Sequence, residues 1–219
     1  LAPPGSAEGG NSNNRNLKNI FGYQSDLTLK NVKGLNIETG VKINFSRSNN
    51  EARYFKDSAG VKGYADRFQT NTYSYREAIA AFYLQASATR WGFTIKPGFR
   101  LEHTDIEGRQ IVPTDTGFLI RRNDVFPYLY IRHDLFKMFG QVLVGNAIYR
   151  KSIRRPYYEN LNPYPRFVDQ YLYESGNPSL KPQFTTSYEI NVTFKDIPVF
   201  AFGLDRKSTR LNSSHSSVS

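Results

Sequence analysis

Three histidines, His103, His133 and His215, and no cysteine bound the chemistry available to this 219-residue chain. His133 stands next to Asp134, but successive residues of a strand point to opposite faces, which parts imidazole from carboxylate. His103, with Glu102 and Asp105 nearby, suggests a metal ligand set but lacks a second imidazole. A solvated strand end is the better reading of that triplet. Without cysteine, neither a disulfide framework nor a thiolate zinc site is possible. The sequence holds no G-x-S-x-G elbow, no H-E-x-x-H pair and no phosphate loop. We therefore expect no enzyme: no catalytic residues, no metal and no cofactor.

Charge and hydropathy narrow the remaining classes. Lys and Arg number 29 against 19 Asp and Glu, a net charge of +10. A nucleic-acid surface would gather those cations on one face among stacking aromatics. Here they are spread, and Arg150, Lys151, Arg154 and Arg155 form the one dense cluster, so nucleic acid is not expected as a partner. The longest clear apolar run, 78–84, falls far short of the ~18 residues of a membrane helix. Aromatic residues at 15% argue against a disordered chain.

The elements that must carry these residues are strands. Over 37–45, Ile37, Thr39, Val41, Ile43 and Phe45 alternate with Glu38, Gly40, Lys42 and Asn44. Over 93–102, Phe93, Ile95, Pro97, Phe99 and Leu101 alternate with Thr94, Lys96, Gly98, Arg100 and Glu102. Such period-two patterning gives a strand one apolar and one polar face. The same reading puts strands at 20–30, 36–48, 73–89, 93–105, 123–135, 141–154, 184–195 and 199–204. Short connections near 33–35, 90–92, 136–140 and 196–198 alternate with long ones at 48–72, 106–122 and 155–183. Residues 1–18 read as the remainder of another long loop.

A soluble β-sandwich, apolar within and polar without, explains the alternation alone. A transmembrane barrel reverses the faces and adds short turns at one rim and long loops at the other. Most of these strands exceed the five or six residues usual in globular sheets, and they suit tilted membrane crossings. The expected fold is thus all-β, an antiparallel transmembrane β-barrel fragment of about eight strands forming an open, curved sheet. Glu38, Lys42, Lys96, Arg100, Glu102, Tyr128, Tyr130, Arg132 and Asp134 share the polar face, which the barrel reading assigns to the lumen as ligand-facing candidates.

Residues 152–190 carry a more specific signal. Arg154-Arg155-Pro156, Leu161-Asn162-Pro163 and Gly176-Asn177-Pro178-Ser179-Leu180-Lys181-Pro182 occur in order, and Ser187-Tyr188-Glu189 opens the next strand. Prolines keep the connection out of the sheet, and Gly176 suits a positive-φ turn. This stretch resembles the outer-membrane β-barrel domain of TonB-dependent receptors. The resemblance implies a barrel of about 22 strands and a plug domain absent from this stretch. It also implies a TonB complex contacted through an N-terminal segment outside it. The expected role is to bind a scarce solute and import it at the outer membrane of a Gram-negative-type cell. Basic residues at the rim would meet outer-membrane lipid and lipopolysaccharide phosphates. Two other readings stay open: a small self-contained barrel with a structural or adhesion role, and an outer-membrane hydrolase whose catalytic strands lie elsewhere. Residues 205–215, DRKSTRLNSSH, resemble the in-frame translation of a sequencing adapter. We expect a barrel domain over 1–204 and a disordered tail over 205–219.

Overall fold

The computed structural model describes residues 9–32, 34–58, 61–66, 70–163, 166–167, 172–194 and 197–208. Its elements are β1 (Gly9–Val32), β2 (Leu35–Ser58), β3 (Val61–Ala65), β4 (Asn71–Arg90), β5 (Phe93–Val112) and β6 (Thr116–Met138). They continue as β7 (Gln141–Arg154), α1 (Tyr158–Leu161), β8 (Arg166–Phe167), β9 (Tyr173–Glu174), β10 (Gln183–Phe194) and β11 (Ile197–Lys207).

Eight strands form one antiparallel path, β1-β2-β4-β5-β6-β7-β10-β11, with β3 attached to β2. Among the described residues the path does not close, since β1 pairs only with β2 and β11 only with β10. The eight strands read from alternation are all present, and each sequence-adjacent strand of the path lies beside its neighbour. Tight turns join them at one end. Trp91 and Gly92 have φ of 53° and 77°, and Phe139 and Gly140 of 50° and 73°. Two successive positive φ values make a two-residue hairpin turn whose twist matches the strands it joins. Trp91 and Phe139 are bare to solvent at the tips, 82% and 88% exposed.

At the opposite end the strands run on where long loops were expected. β5 and β6 stay paired out to Gln110 and Thr116, so 106–122 is a hairpin with a short turn rather than a loop. β1 and β2 stay paired from Leu17 and Asn49 to Gly9 and Asp57, so residues 9–18 and 48–58 are strand too. These extensions are polar on both faces, as in Ser48–Ser58 (SNNEARYFKDS). No alternation marks them, because the backbone ladder alone holds them. β11 likewise carries the ladder to Lys207, opposite Thr185, three residues past the boundary at 204. The rest of that tail, from Thr209, lies outside the described residues. Of the expected long loops, 155–183 remains a connection that carries α1 and the β8–β9 pair, and 48–72 shortens to 59–70, which carries β3.

Register puts Val41, Phe82, Leu101 and Val125 on one side of the sheet, all exposed. Phe93, Ile95 and Phe99 share that side, and they too are exposed. No second sheet covers it among the described residues; the other sheet is the two-stranded β8–β9 pair. The sandwich reading fails here, because a water-soluble protein does not leave so broad an apolar face bare. The small buried cluster lies on the other side, near the end opposite the tight turns. There Leu161 of α1, 1% exposed, meets Tyr73, Tyr75 and Ile106, flanked by Phe118, Ile120, Tyr158 and Leu180.

A candidate ligand site on the polar face

Glu38 and Lys42 oppose Gln85 and Ala81 of β4, which in turn oppose Gly98 and Glu102 of β5. Lys96, Gly98, Arg100 and Glu102 oppose Tyr130, Tyr128, Phe126 and Asp124 of β6. Arg132 and Asp134 continue the same face. All nine residues expected on the polar face therefore lie on one side of the sheet. They fall into two neighbourhoods. Glu38 and Lys42 sit toward the β1 edge, near Asp26, which accepts a 2.5 Å hydrogen bond from the Tyr83 hydroxyl. The other seven occupy β5 and β6.

In that second neighbourhood most cations are already balanced. Arg100 Nε lies 2.8 Å from Glu102, and Arg132 lies 3.3 Å from Asp134. The Lys96 ammonium sits 5.7 Å over the Tyr130 ring. The Tyr130 hydroxyl donates to Asn146 Oδ1 at 2.8 Å. Arg100 and Arg132 are matched by carboxylates, so Lys96 carries the one excess charge among these seven residues.

The connection after β7 folds back onto this face. Arg155 donates through Nη2 to Glu102 Oε2 at 2.5 Å and to Thr104 Oγ1 at 2.9 Å. Glu102 is buried, so its charge is held by Arg100 on one oxygen and Arg155 on the other. Leu161, six residues on, fills the apolar cluster described above. The chain then doubles back on itself: Gly176 N–H donates to Asn162 at 2.8 Å and Asn177 N–H to Asn160 at 2.7 Å. Gly176 does not have a positive φ, contrary to the turn expected for it. Glycine is required there by closeness, since a Cβ would come within 2.5–2.6 Å of the carbonyl oxygens of Asn162 and Asn160.

Between this strap and the wall lies a cavity of about 250 Å³ lined by Lys18, Ser46, Ser48, Tyr75, Glu77, Arg155, Pro156, Tyr157 and Tyr158. Tyr75 and Tyr158 meet at a tilt, centroids 5.9 Å apart. Lys18 lies 5.7 Å over the Tyr158 ring. Burial raises the Tyr158 hydroxyl above its usual range, so it is protonated and can donate. Glu77 accepts from the Tyr75 hydroxyl at 3.1 Å.

Apart from Arg155 and Pro156, which belong to the Arg154-Arg155-Pro156 piece and, for Arg155, to the basic cluster, none of these lining residues stood out in the sequence. Ser46 and Ser48 continue the even positions of the strand at 36–48. Tyr75 and Glu77 share a face of the strand at 73–89, whose apolar run 78–84 blurs its alternation. Extending the period-two pattern through that run would have found them. The remaining sequence candidates are dispersed. His133 stacks on Phe93, centroids 3.8 Å apart, on the apolar side, while Asp134 faces the other way toward Arg132. His103 Nδ1 lies 2.7 Å from Asn123 Oδ1, and Asp105 pairs with Arg121 at 3.0 Å. The basic cluster splits as well. Arg150 reaches Glu189 at 2.6 Å, Lys151 lies 5.1 Å over the Phe184 ring, and Arg155 joins the strap.

On the apolar side, the belt stops abruptly at charge. Arg47 follows Phe45 on β2 and stands directly opposite Arg76 of β4, with Arg76 5.4 Å over the Phe45 ring.

A family model described as the outer membrane protein beta-barrel family matches residues 2–217. Comparison with curated proteins and with solved structures gives no match.

Proposed function

Because the chain belongs to the outer membrane protein beta-barrel family, a protein of the outer membrane, we propose that it is the barrel wall of a TonB-dependent receptor. In this reading a scarce solute is bound at the lumen and imported past a plug domain. The barrel faces lipid with its apolar side and water with its polar side, which makes the polar face the lumen. The observation that carries the reading is the strap. The segment bearing Arg154-Arg155-Pro156 and Gly176-Asn177-Pro178 resembles that receptor family, and it lies over the lumen face, where a ligand must pass. The free edges of β1 and β11 support a barrel larger than eight strands, since a self-contained barrel would join them. Binding and gated passage need no covalent chemistry, and no enzymatic role is proposed.

The strap end is the extracellular one if short turns face the periplasm, as in bacterial barrels. Arg47 and Arg76 then stand side by side at the outer-leaflet level and, with Glu107 opposite Arg76, leave one positive charge for an anion. Lipopolysaccharide phosphates fit that place.

Growth on limiting nutrients tests the reading. Strains lacking this protein, the TonB complex, or both should share one nutrient defect, with the double deletion no worse than either single one. A defect that survives in full when TonB is already absent would refute energised import.

A further inference from the structure

The cavity under the strap has a charge arrangement that selects its occupant. Lys18 projects from β1 and Glu77 from β4, both on the lumen face, with β2 between them. Neither has an ion-pair partner among the described residues. Lys18 has only the Tyr158 ring, and Glu77 only the Tyr75 hydroxyl. Strand spacing and rise put their Cα atoms about 12 Å apart, with the cavity between. The third charged lining residue, Arg155, is engaged by Glu102, a carboxylate it shares with Arg100. Lys18 and Glu77 thus face the space as one unpaired charge of each sign at separate places.

A simple anion would leave Glu77 uncompensated beside it, and a simple cation would do the same to Lys18. A neutral sugar would use the hydroxyls of Ser46, Ser48 and the tyrosines but leave both charges unmatched. Only a solute carrying both signs satisfies the two together. The size sets a further limit. At about 250 Å³ the space is just below the ~300–1,000 Å³ typical of drug-sized ligands. The rings of Tyr75 and Tyr158 offer apolar surface for a side chain. We infer that this cavity is a binding site for a small zwitterion of the amino-acid or dipeptide class. Its carboxylate faces Lys18 and its ammonium faces Glu77. This deepens the import reading by naming the class of solute, and it rests on that reading only for the direction of travel.

The test is calorimetry on the full-length protein in detergent, with L-alanyl-L-tyrosine, its N-acetyl derivative and its C-terminal amide as probes. No TonB or proton gradient is involved, so a failure of energised import leaves the result untouched. The free dipeptide should bind at least tenfold more tightly than either derivative. Glu77→Gln should weaken the free dipeptide and the amide at least tenfold and leave the N-acetyl derivative unchanged. Lys18→Gln should do the converse, weakening the N-acetyl derivative and sparing the amide. Gln at 77 still accepts from Tyr75, and heat-modifiable migration on gels verifies that each variant is folded. Equal binding of all three probes, no binding of the free dipeptide, or preference for a neutral disaccharide overturns the assignment.

Discussion

Arg155 is the residue on which the strap turns. Its guanidinium satisfies one oxygen of buried Glu102 and the Thr104 hydroxyl together. In Arg155→Ala, Glu102 keeps Arg100, so the carboxylate is not wholly orphaned. The loss should be about 1.5–3 kcal/mol, that of a charged hydrogen bond, rather than the larger penalty of an unpaired buried charge. It should fall on the strap and not on the strands. Chymotryptic cleavage at Tyr157 and Tyr158 in the folded protein should therefore speed up while the strands stay protected. Unchanged cleavage would mean that Leu161 and the Gly176 crossing hold the strap without the ion pair.

At the scale of elements, the faces of the strands make the sharpest claim. Ile95 and Leu129 lie on the apolar side, assigned above to lipid, and Lys96 and Arg132 on the polar side, assigned to the lumen. An arginine at the bilayer midplane costs about 2–4 kcal/mol, and lumen positions tolerate change. Ile95→Arg or Leu129→Arg should impair barrel assembly, read as loss of heat-modifiable protein. Lys96→Ala and Arg132→Ala should assemble normally. Equal damage from both sets would remove the lipid assignment.

The rim hairpin between β5 and β6 adds a pH dependence. Two hydrogen bonds from Arg109 hold the Asp115 carboxyl below its ordinary 3.8. Such a group stabilises the folded hairpin above 3.8 and loses that contribution as pH falls through its lowered value. Both side chains are exposed, so the effect is small and local. Hydrogen exchange at Gln110 and Thr116, corrected for intrinsic rate, should rise at low pH. Arg109→Gln should abolish that excess. These elements also mark where the sequence was and was not legible. Strands touching lipid betray themselves because one face must be apolar, so β5 and its neighbours were readable. Their extensions beyond the membrane answer only to the backbone ladder, and β1 below Lys18 or β2 beyond Ser48 passed for loop. The strap cavity was hidden for another reason: Lys18, Glu77 and Arg155 are brought together by register and by a chain reversal, neither of which is a local pattern.

For the molecule as a whole, the open path governs behaviour. β1 and β11 each expose a row of backbone donors and acceptors, and in hydrocarbon each unpaired group costs several kcal/mol. Residues 1–219 expressed alone should aggregate in detergent instead of giving a monomeric, heat-modifiable band. Such a band would show that the two edges find each other, and it would restore the small-barrel alternative.

The bulge between Asp134 and Phe136 has a bearing on how such a chain changes over generations. Up to Asp134, even numbers on β6 face the lumen. Beyond the bulge Phe136 pairs with Leu143, and an even number has joined the lipid side. One residue is absorbed and parity is reset within a single strand. Elsewhere within the paired part of β5 or β6, loss of a single codon would turn charges outward as far as the next turn. Loss of two codons would shorten the crossing and keep its faces. Viable length variation within these strands should therefore come in pairs, with odd steps confined to bulges, turns and the strap.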